Sequence, residues 1–218
     1  ISALNAAKQF GSHADNGSKG CGTVMRDAPW GLAFAGQPQR AFDLAAEAAR
    51  TTHGHPSAAC ASGALAAMVA RVSVGMSVAD AAEQTLSEQL RLAEASEVAF
   101  LLSIALSLAG SGWRSALNEL GQGWVAEEAL AIAVLCAVSA ESPQAALIAA
   151  VNHDGDSDST GAICGNLVGT QFGPKVFPTE WLTQLEMRDL LETVAADLAV
   201  AVSGAFDLET FSQRYPGW

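Results

Sequence analysis

HDGDSDSTG, residues 153–161, combines acidic and hydroxyl side chains at high density. Three carboxylates and two hydroxyls fall within residues 153–159 of a chain that is 50% hydrophobic. Carboxylates this close together repel one another unless a cation or strong hydrogen-bond donors neutralise them. Hard divalent cations such as Mg²⁺, Mn²⁺ and Ca²⁺ bind carboxylate and hydroxyl oxygens. The stretch therefore predicts part of a metal site at the start of a helix.

Two other interpretations of this acidic stretch can be compared with its spacing. An EF-hand loop that begins at Asp154 needs a bidentate acid at its twelfth position, where the chain has Gly165. A loop that begins at Asp156 places Leu167 there instead. Both registers lack the acid, which excludes an EF-hand. The remaining alternative is a solvated turn with an Asp or Ser N-cap, which explains one residue of the stretch rather than five.

Glycines follow the acidic stretch at intervals of four residues, at positions 161, 165, 169 and 173. Residues at this spacing share one face of an α-helix, and a face without side chains lets another backbone approach closely. In a longer apolar segment the pattern would indicate paired membrane helices, but Asn166 and Gln171 interrupt it. Each interior glycine costs about 1 kcal/mol relative to alanine. We therefore expect a buried helix whose glycine face packs against a neighbour or the ion site.

The composition favours a helical fold. Ala and Leu are plentiful, aromatic residues make up 6%, and runs of β-branched residues are rare. A chain of 218 residues is long enough to bury a sizeable core. We expect a single all-α, multi-helix domain over residues 1–218. Helices are predicted over residues 40–51, 57–72, 77–87, 94–108, 126–140, 143–151, 160–172 and 186–202.

Charge and hydropathy exclude several classes of partner. The chain has 23 acidic and 11 basic residues, a net charge of −12, which is the wrong sign for binding nucleic acid or an anionic membrane. No segment is expected to span a membrane, because residues 98–108 are too few and residues 129–151 are broken by Glu141-Ser142-Pro143. The four cysteines are scattered without CxxC spacing, which predicts core thiols in a reducing compartment, the cytoplasm.

Four segments of the chain resemble the ADP-ribosylglycohydrolase family, which includes the dinitrogenase reductase-activating glycohydrolase and the ADP-ribosylarginine hydrolases. They are SKGCGTVMRDAP (18–29), THGHPSA (52–58), GWVAEEALA (123–131) and GDSDSTG (155–161). Their order and separation also match, and the resemblance covers essentially the whole chain. It implies the all-α fold of that family. It also implies metal-dependent hydrolysis of the N-glycosidic bond between ADP-ribose and a protein side chain, with arginine expected.

The resemblance assigns roles to the acidic stretch. Asp156, Asp158 and Ser159 match the family's metal-binding motif and are implied to be ligands of two divalent cations, Mg²⁺ or Mn²⁺. Family members carry a Thr-Asp-Asp-Thr type motif in an N-terminal portion that supplies the other half of the site, and nothing like it precedes Gly20. We therefore expect this chain to be the C-terminal portion of a longer polypeptide. The missing N-terminal segment would be its partner and would supply the general base.

The resemblance also implies contacts with the ADP-ribosyl group. Gly20, Cys21 and Gly22 match the family's glycine loop, where backbone groups approach the ribose and diphosphate. Many members have a polar residue in place of Cys21. Met25 follows the loop and could either line the site or belong to the core. His53 is expected to hydrogen-bond the substrate, although the HxH pair it opens could also be two turn histidines or, by spacing alone, a zinc pair.

Two alternatives to this activity remain open. Jellyfish lens crystallins resemble the same family, so the fold is compatible with a non-catalytic structural or binding protein. The intact acidic stretch argues against that alternative, because a purely structural protein has no need of a self-repelling carboxylate cluster. The second alternative is the hydrolysis of a small ADP-ribosyl compound instead of a modified protein.

Overall fold

The structure is a computed structural model that describes residues 2–7, 9, 11–91, 95–110 and 112–216. It contains two compact units that divide after Val176, and each is described by itself. The prediction of one domain over the whole chain stays a prediction. The α-helices of the first unit are α1 (Ser2–Ala6), α2 (Ala28–Ala33), α3 (Pro38–Arg50), α4 (Pro56–Val72), α5 (Val78–Glu88), α6 (Ser96–Leu108), α7 (Trp113–Ala116), α8 (Ala126–Ser139), α9 (Pro143–Ala150) and α10 (Ser157–Phe172).

The predicted all-α class is confirmed. Throughout the described ranges the regular elements are α-helices and short 3-10 helices, and extended backbone pairs at one isolated bridge. In this part of the chain no helix is both long and apolar enough to cross a lipid bilayer. The 3-10 helices are Cys21–Arg26, Leu117–Leu120 and Pro174–Val176.

Helix α4 is buried along almost its whole length because its side chains are small and mostly apolar. Every residue from Ser57 to Val72 is buried. A Cβ added to Gly63 would lie 2.7 Å from the ring of Phe42 in α3, and one added to Gly31 in α2 would lie 2.5 Å from Val69. These glycines therefore allow α2 and α3 to pack closely on α4. Helix α8 is the second buried element and packs against α6, α9 and α10.

Several helices begin close to the residues at which the sequence predicts their start. The Ser77 hydroxyl accepts the amide of Asp80 at 3.1 Å, as predicted for the start of α5. Helices α3, α4, α8 and α9 confirm the predictions for their segments. Glu94, the predicted start of α6, lies outside the described residues. Helix α10 begins at Ser157 rather than at Thr160, so the end of the acidic stretch forms its first turn.

Helix α10 carries the predicted glycine face, but only the first half of that face is packed. A Cβ added to Gly161 would lie 2.5 Å from Cγ1 of Val151, and one added to Gly165 would make ordinary van der Waals contact with α9. Apart from its chain neighbours and the adjacent backbone of α10, no described atom lies within 4 Å of a Cβ at Gly169, and Gly173 ends the helix with a φ of 73°. The expectation of a packed glycine face is therefore confirmed at Gly161 and Gly165 and was wrong for the second half of the helix, because spacing does not determine how far a neighbouring helix extends.

The second unit is organised around a buried carboxylate. Asp197 accepts hydrogen bonds from Arg214, at 2.5 Å to each oxygen, and from the hydroxyl of Tyr215 at 2.8 Å. Phe211 packs against Phe206 and Tyr215, with ring centroids 5.3 and 5.9 Å apart. These contacts join the last two helices of this unit. Its helices are α11 (Thr179–Thr183), α12 (Arg188–Val202) and α13 (Leu208–Arg214).

Candidate active site

A short segment of backbone, residues 122–126, which ends at the first residue of α8, holds the glycine loop in place. Gly20 pairs with Val125 in an isolated antiparallel bridge. The amide of Cys21 donates to the carbonyl of Trp124 at 3.2 Å. Backbone pairing of this kind depends on no particular side chain, so the sequence pattern does not reveal it. It fixes the position of the loop relative to the start of α8.

The same segment also holds the acidic stretch. The carbonyl of Gln122 accepts the amide of Asp156 at 2.8 Å. A Cβ added to Gly155 would overlap that carbonyl, so glycine is required for this close approach. The carboxylate of Glu128 fixes the segment in turn, accepting the amides of Gln122 and Gly123 at 3.1 Å each. One piece of backbone therefore positions both the glycine loop and the acidic stretch.

Three side chains converge where these two elements meet. The Cys21 thiol donates to Oδ2 of Asp156 at 2.8 Å, and its Sγ lies 3.3 Å from Oγ of Ser159. The exposed fractions are 7% for Cys21, 8% for Asp156 and 2% for Ser159, so water reaches this cluster only at its edge. We call these three residues the thiol–carboxylate cluster.

The contacts within the cluster shift the pKa values of its members. Burial raises the pKa of the Cys21 thiol to about 11, and the hydrogen bond to Asp156 adds to that shift. Burial also acts to raise the pKa of Asp156. Hydrogen bonds from the Cys21 thiol and from Ser159, together with an interaction with the Asp158 side chain, outweigh that effect, so the pKa of the Asp156 carboxyl group lies below its usual value. At neutral pH the cluster is therefore a carboxylate held by a neutral thiol.

The three predicted metal ligands lie together at the start of α10. Asp156 precedes the helix, while Asp158 and Ser159 belong to its first turn. Asp156 occupies the N-cap position, but its side chain forms no capping hydrogen bond of ordinary geometry. The N-cap alternative therefore accounts for the position of Asp156 and not for its side-chain contacts. Asp158 is exposed, in contrast to the two buried members. Their role as ligands stays a prediction.

Gly20 and His53, both predicted to contact the substrate, are neighbours in the structure. A Cβ added to Gly20 would lie 3.6 Å from Nε2 of His53. The other ring nitrogen, Nδ1, lies 2.8 Å from the Thr52 hydroxyl, which accepts a hydrogen bond from Arg26 at 2.6 Å. Burial and the charge of Arg26 lower the pKa of His53. A neutral imidazole therefore presents Nε2 to the glycine loop at pH 7.

The other predicted substrate residues divide between two surroundings. Met25 is half-buried, and its methyl group would lie 3.9 Å from a Cβ at Gly22. Its carbonyl accepts a hydrogen bond from Asn166 of α10 at 3.2 Å, so Met25 both borders the loop and joins it to the core. Cys21 differs from these residues because its side chain points into the thiol–carboxylate cluster. Substrate contact by these residues stays a prediction.

A partly buried ion-pair network beside the glycine loop is not predicted from the sequence. Lys19 pairs with Glu127, whose side chain is 5% exposed, and with Glu97 at 3.1 Å. The hydrogen bond to Glu127 is the main cause that raises the pKa of Lys19. Glu97 also accepts the hydroxyl of Ser57 at 2.5 Å. The sequence signal that could have revealed this network is Lys19. Glu127 gives no separate signal, because the helix dipole already explains an acid at the start of α8.

The donors of the thiol–carboxylate cluster suit part of a metal site. Hard cations accept the carboxylate and hydroxyl oxygens of Asp156 and Ser159. Borderline ions such as Zn²⁺ accept these oxygens and also sulfur. Within the described residues, no group of three or more His, Cys, Asp and Glu side chains could hold a metal ion. The residues present therefore fit a divalent cation in chemistry, and they fall short of a complete ligand set.

The fold and the sequence identify the class and then the family of this protein. A solved structure described as an ADP-ribosylglycohydrolase-related protein complex superimposes with a TM-score of 0.71 and 27% sequence identity. The match covers 94% of this chain and 66% of that chain. The family model for ADP-ribosylglycohydrolase matches residues 1–207. The chain therefore belongs to the ADP-ribosylglycohydrolase family.

Two relatives extend this comparison. An uncharacterized protein of Archaeoglobus fulgidus is 31% identical over 180 residues, which are 82% of this chain and 57% of the relative. The ADP-ribosyl-[dinitrogen reductase] glycohydrolase of Rhodospirillum rubrum is 43% identical over 58 residues, which are 25% of this chain and 20% of the relative. The chain thus aligns with less than two thirds of the length of either relative.

Proposed function

We propose that this chain takes part in the metal-dependent hydrolysis of the N-glycosidic bond between ADP-ribose and a protein side chain, with arginine as the preferred residue. The observation that carries this proposal is the attachment of the glycine loop and the acidic stretch to one segment, residues 122–126. Family membership supports the reaction class. The name of the R. rubrum relative supports a protein-linked substrate.

In this proposal Asp156, Asp158 and Ser159 hold two divalent cations, Mg²⁺ or Mn²⁺, together with ligands from an N-terminal segment. When bound, the cations would polarise oxygen atoms and orient the ribose hydroxyl groups and a water molecule. The hydrogen bonds that keep Asp156 ionised also aim it, so its carboxylate is ready for a cation at neutral pH. The general base would come from the N-terminal segment.

The glycine loop would hold the ADP-ribosyl diphosphate. Its glycines leave room for backbone amides to approach an anion closely. The net charge of −12 offers no general attraction for that anion, so local donors have to supply the binding energy. His53 is one such donor, because its Nε2 faces Gly20 while its Nδ1 is engaged by Thr52. Lys19 is already neutralised by Glu127 and Glu97.

Asp156→Ala and Asp154→Ala, made in the protein that carries this chain and its N-terminal segment, form a matched pair for testing the proposal. Asp154 is an exposed carboxylate two residues away and is not expected to be a ligand. Asp156→Ala should weaken Mg²⁺ and Mn²⁺ binding in calorimetry and slow the release of ADP-ribose from arginine-modified protein. Asp154→Ala should change neither. Equal effects of both substitutions on metal affinity would refute the assigned site.

The choice of substrate distinguishes the remaining alternatives. Arginine-linked, serine-linked and small-molecule ADP-ribose should be compared under one set of metal conditions. Release from arginine-modified protein supports the proposal, whereas release only from a small compound supports the second alternative. Metal binding without hydrolysis of any of the three would favour a structural or binding protein.

The free buried thiols of Cys21, Cys136 and Cys164 are in accord with a cytoplasmic protein.

A further inference from the structure

We propose that Thr52 is a positioning residue whose hydroxyl group fixes the proton of the His53 ring on Nε2, so that His53 donates a hydrogen bond to a phosphate oxygen of the ADP-ribosyl group. This inference rests on the proposed function, because it takes His53 as a contact of the substrate. The observation behind it is a chain of side-chain contacts from Arg26 through Thr52 to His53, with distances of 2.6 and 2.8 Å.

The Thr52 hydroxyl group has one proton to donate, and its neighbours limit where that proton can go. Arg26 has N–H donors and no acceptor, so its contact uses the Thr52 oxygen as an acceptor. Two acceptors then compete for the hydroxyl proton: Nδ1 of His53 at 2.8 Å and the carbonyl of Ala49 at 3.3 Å. The choice between them decides which nitrogen of the His53 ring is protonated.

The carbonyl of Ala49 already has two donors. It accepts the amide of Thr52 at 3.0 Å and the amide of His53 at 2.9 Å, and a carbonyl oxygen has two lone pairs. The Thr52 hydroxyl therefore donates to the closer acceptor, Nδ1 of His53. A neutral imidazole carries one N–H group, so the proton of the ring lies on Nε2 when Nδ1 is an acceptor.

The charge of Arg26 favours the same tautomer. Burial and this charge lower the pKa of His53, which keeps the ring neutral at pH 7. Arg26 contacts the Thr52 hydroxyl, which lies on the Nδ1 side of the ring. A nitrogen lone pair on that side is attracted to the guanidinium group, whereas an N–H group would be repelled by it.

The space in front of Nε2 is left open by a glycine. A Cβ added to Gly20 would lie 3.6 Å from Nε2 of His53, so the absence of a side chain at position 20 leaves room for a ligand atom there. Phosphate oxygens are acceptors that form strong, charge-assisted hydrogen bonds, and they suit an N–H donor in this position. A ring that donates from Nε2 cannot also take a proton there, in accord with a general base from the N-terminal segment.

Nitrogen-15 NMR measures the tautomer directly. In the protein that carries this chain and its N-terminal segment, labelled with ¹⁵N-histidine, His53 at about pH 8 should have a protonated Nε2 and an unprotonated Nδ1. Thr52→Val should move the Nδ1 resonance toward that of an unbonded nitrogen. It should also raise the pKa of His53, because the lost hydrogen bond stabilises the neutral ring. Thr52→Ser keeps the hydroxyl group and should keep both values.

The same spectra contain an internal control. Nδ1 of His55 accepts the amide of Ser57 at 3.2 Å, so its resonance should be the same in wild type and in both Thr52 variants. The spectrum of His53→Gln identifies the resonances of His53. A proton on Nδ1 of His53 in wild type would show that Thr52 accepts from the ring. A fall in the pKa of His53 in Thr52→Val would show the same, and either result would overturn the inference while leaving the proposed function intact.

Binding of ADP-ribose in the presence of Mg²⁺ tests the consequence for the substrate. In calorimetry Thr52→Val should bind ADP-ribose roughly fivefold more weakly than wild type, and Thr52→Ser should bind it about as well as wild type. Equal affinity of wild type and Thr52→Val would overturn the positioning role. Failure of wild type to bind ADP-ribose would overturn the proposed function, and the NMR measurement distinguishes this case because it needs no ligand.

Discussion

Two carboxyl groups of the first unit are almost fully buried, yet their pKa values move in opposite directions. Asp27 is 1% exposed and Asp156 is 8% exposed. Burial raises the pKa of Asp27 to about 6, even though a hydrogen bond from Ser62 opposes the change. Burial acts in the same direction on Asp156, but hydrogen bonds beginning with that of Cys21 bring its pKa below the usual value.

The difference shows that the charge of a carboxyl group depends on the balance between its burial and the donors aimed at it: burial outweighs Ser62, Arg26 and Thr23 at Asp27, whereas the donors outweigh burial at Asp156. One oxygen of Asp27 is buried without a hydrogen-bond partner among the described residues. Asp156 instead meets a thiol and a hydroxyl group at the end of a fixed loop. Asp27 is therefore an acid that the fold tolerates, whereas Asp156 is kept ionised and available to a cation.

Gly155→Ala should cause the largest loss of stability, because it displaces Asp156 from the contacts that distinguish it from Asp27. Its Cβ would overlap the Gln122 carbonyl, which accepts the amide of Asp156, so the loop would have to move away from Cys21. Thermal unfolding should show a loss of about 3 kcal/mol or more. Gly169→Ala is the matched control, because its Cβ would enter open space on α10. That control should be neutral or stabilising by up to about 1 kcal/mol. Equal stability of the two variants would contradict the close approach.

Asp27→Asn should give the largest pH-dependent effect. The ordinary pKa of an aspartate carboxyl group is 3.8, whereas that of Asp27 in the folded chain is about 6, so the unfolded chain loses its proton first. Stability conferred by the wild-type residue therefore falls as pH rises through this window, by about 3 kcal/mol in all. The stability of the variant relative to wild type should increase by that amount between about pH 3.5 and pH 7. A difference that stays constant in denaturant titrations would show that Asp27 is not perturbed.

Asp156→Asn should show the opposite trend in metal-free protein. The pKa of Asp156 is lowered in the folded state, so its stabilising effect is present above the usual Asp range and is lost as pH falls through the folded value. Hydrogen bonds to a charged group contribute about 1.5–3 kcal/mol, and wild type should exceed the variant by that amount at pH 7. The advantage should decrease on acidification. Denaturant titrations in the presence of a chelator would measure this change. A stability advantage of wild type that grows on acidification would contradict the lowered pKa of Asp156.

Ser62→Ala should have the smallest effect, and it should widen the difference in pKa between Asp27 and Asp156. The Ser62 hydroxyl lowers the pKa of Asp27, so its removal should raise that pKa further above about 6. Loss of one buried hydrogen bond should also cost about 1 kcal/mol of stability. Carbon-13 NMR of the Asp27 carboxyl group would follow the titration. An unchanged or lower midpoint would mean that Ser62 does not stabilise the charged form.

The helices of the first unit could be predicted because their signals are local. Ser77 caps α5, and the run after Pro56 has the small residues that a central helix needs. The glycine spacing of α10 was less informative, because it identifies a face but not the extent of the helix opposite. Gly169 therefore faces open space although its pattern equals that of Gly161.

The candidate site was predictable in its parts and not in its arrangement. Asp156, Asp158 and Ser159 are adjacent in sequence, so their proximity could be predicted from the motif. The contact of Cys21 with Asp156 joins residues 135 positions apart and depends on the pairing of both with residues 122–126. No local propensity encodes such a contact. The burial of Asp27 was missed for a related reason, because a charged residue next to Arg26 is ordinarily solvated.

The attachment of both loops to residues 122–126 has a consequence for the order of folding. The glycine loop is separated from this segment by about a hundred residues, and the acidic stretch follows it by about thirty, so two chain closures of unequal length must be completed. Distant contacts form late, since the entropy lost in closing a long loop is not recovered until the closure is made. The thiol of Cys21 thus meets Asp156 only once the helices between them are in place, and their contact reports completed folding instead of local helix formation.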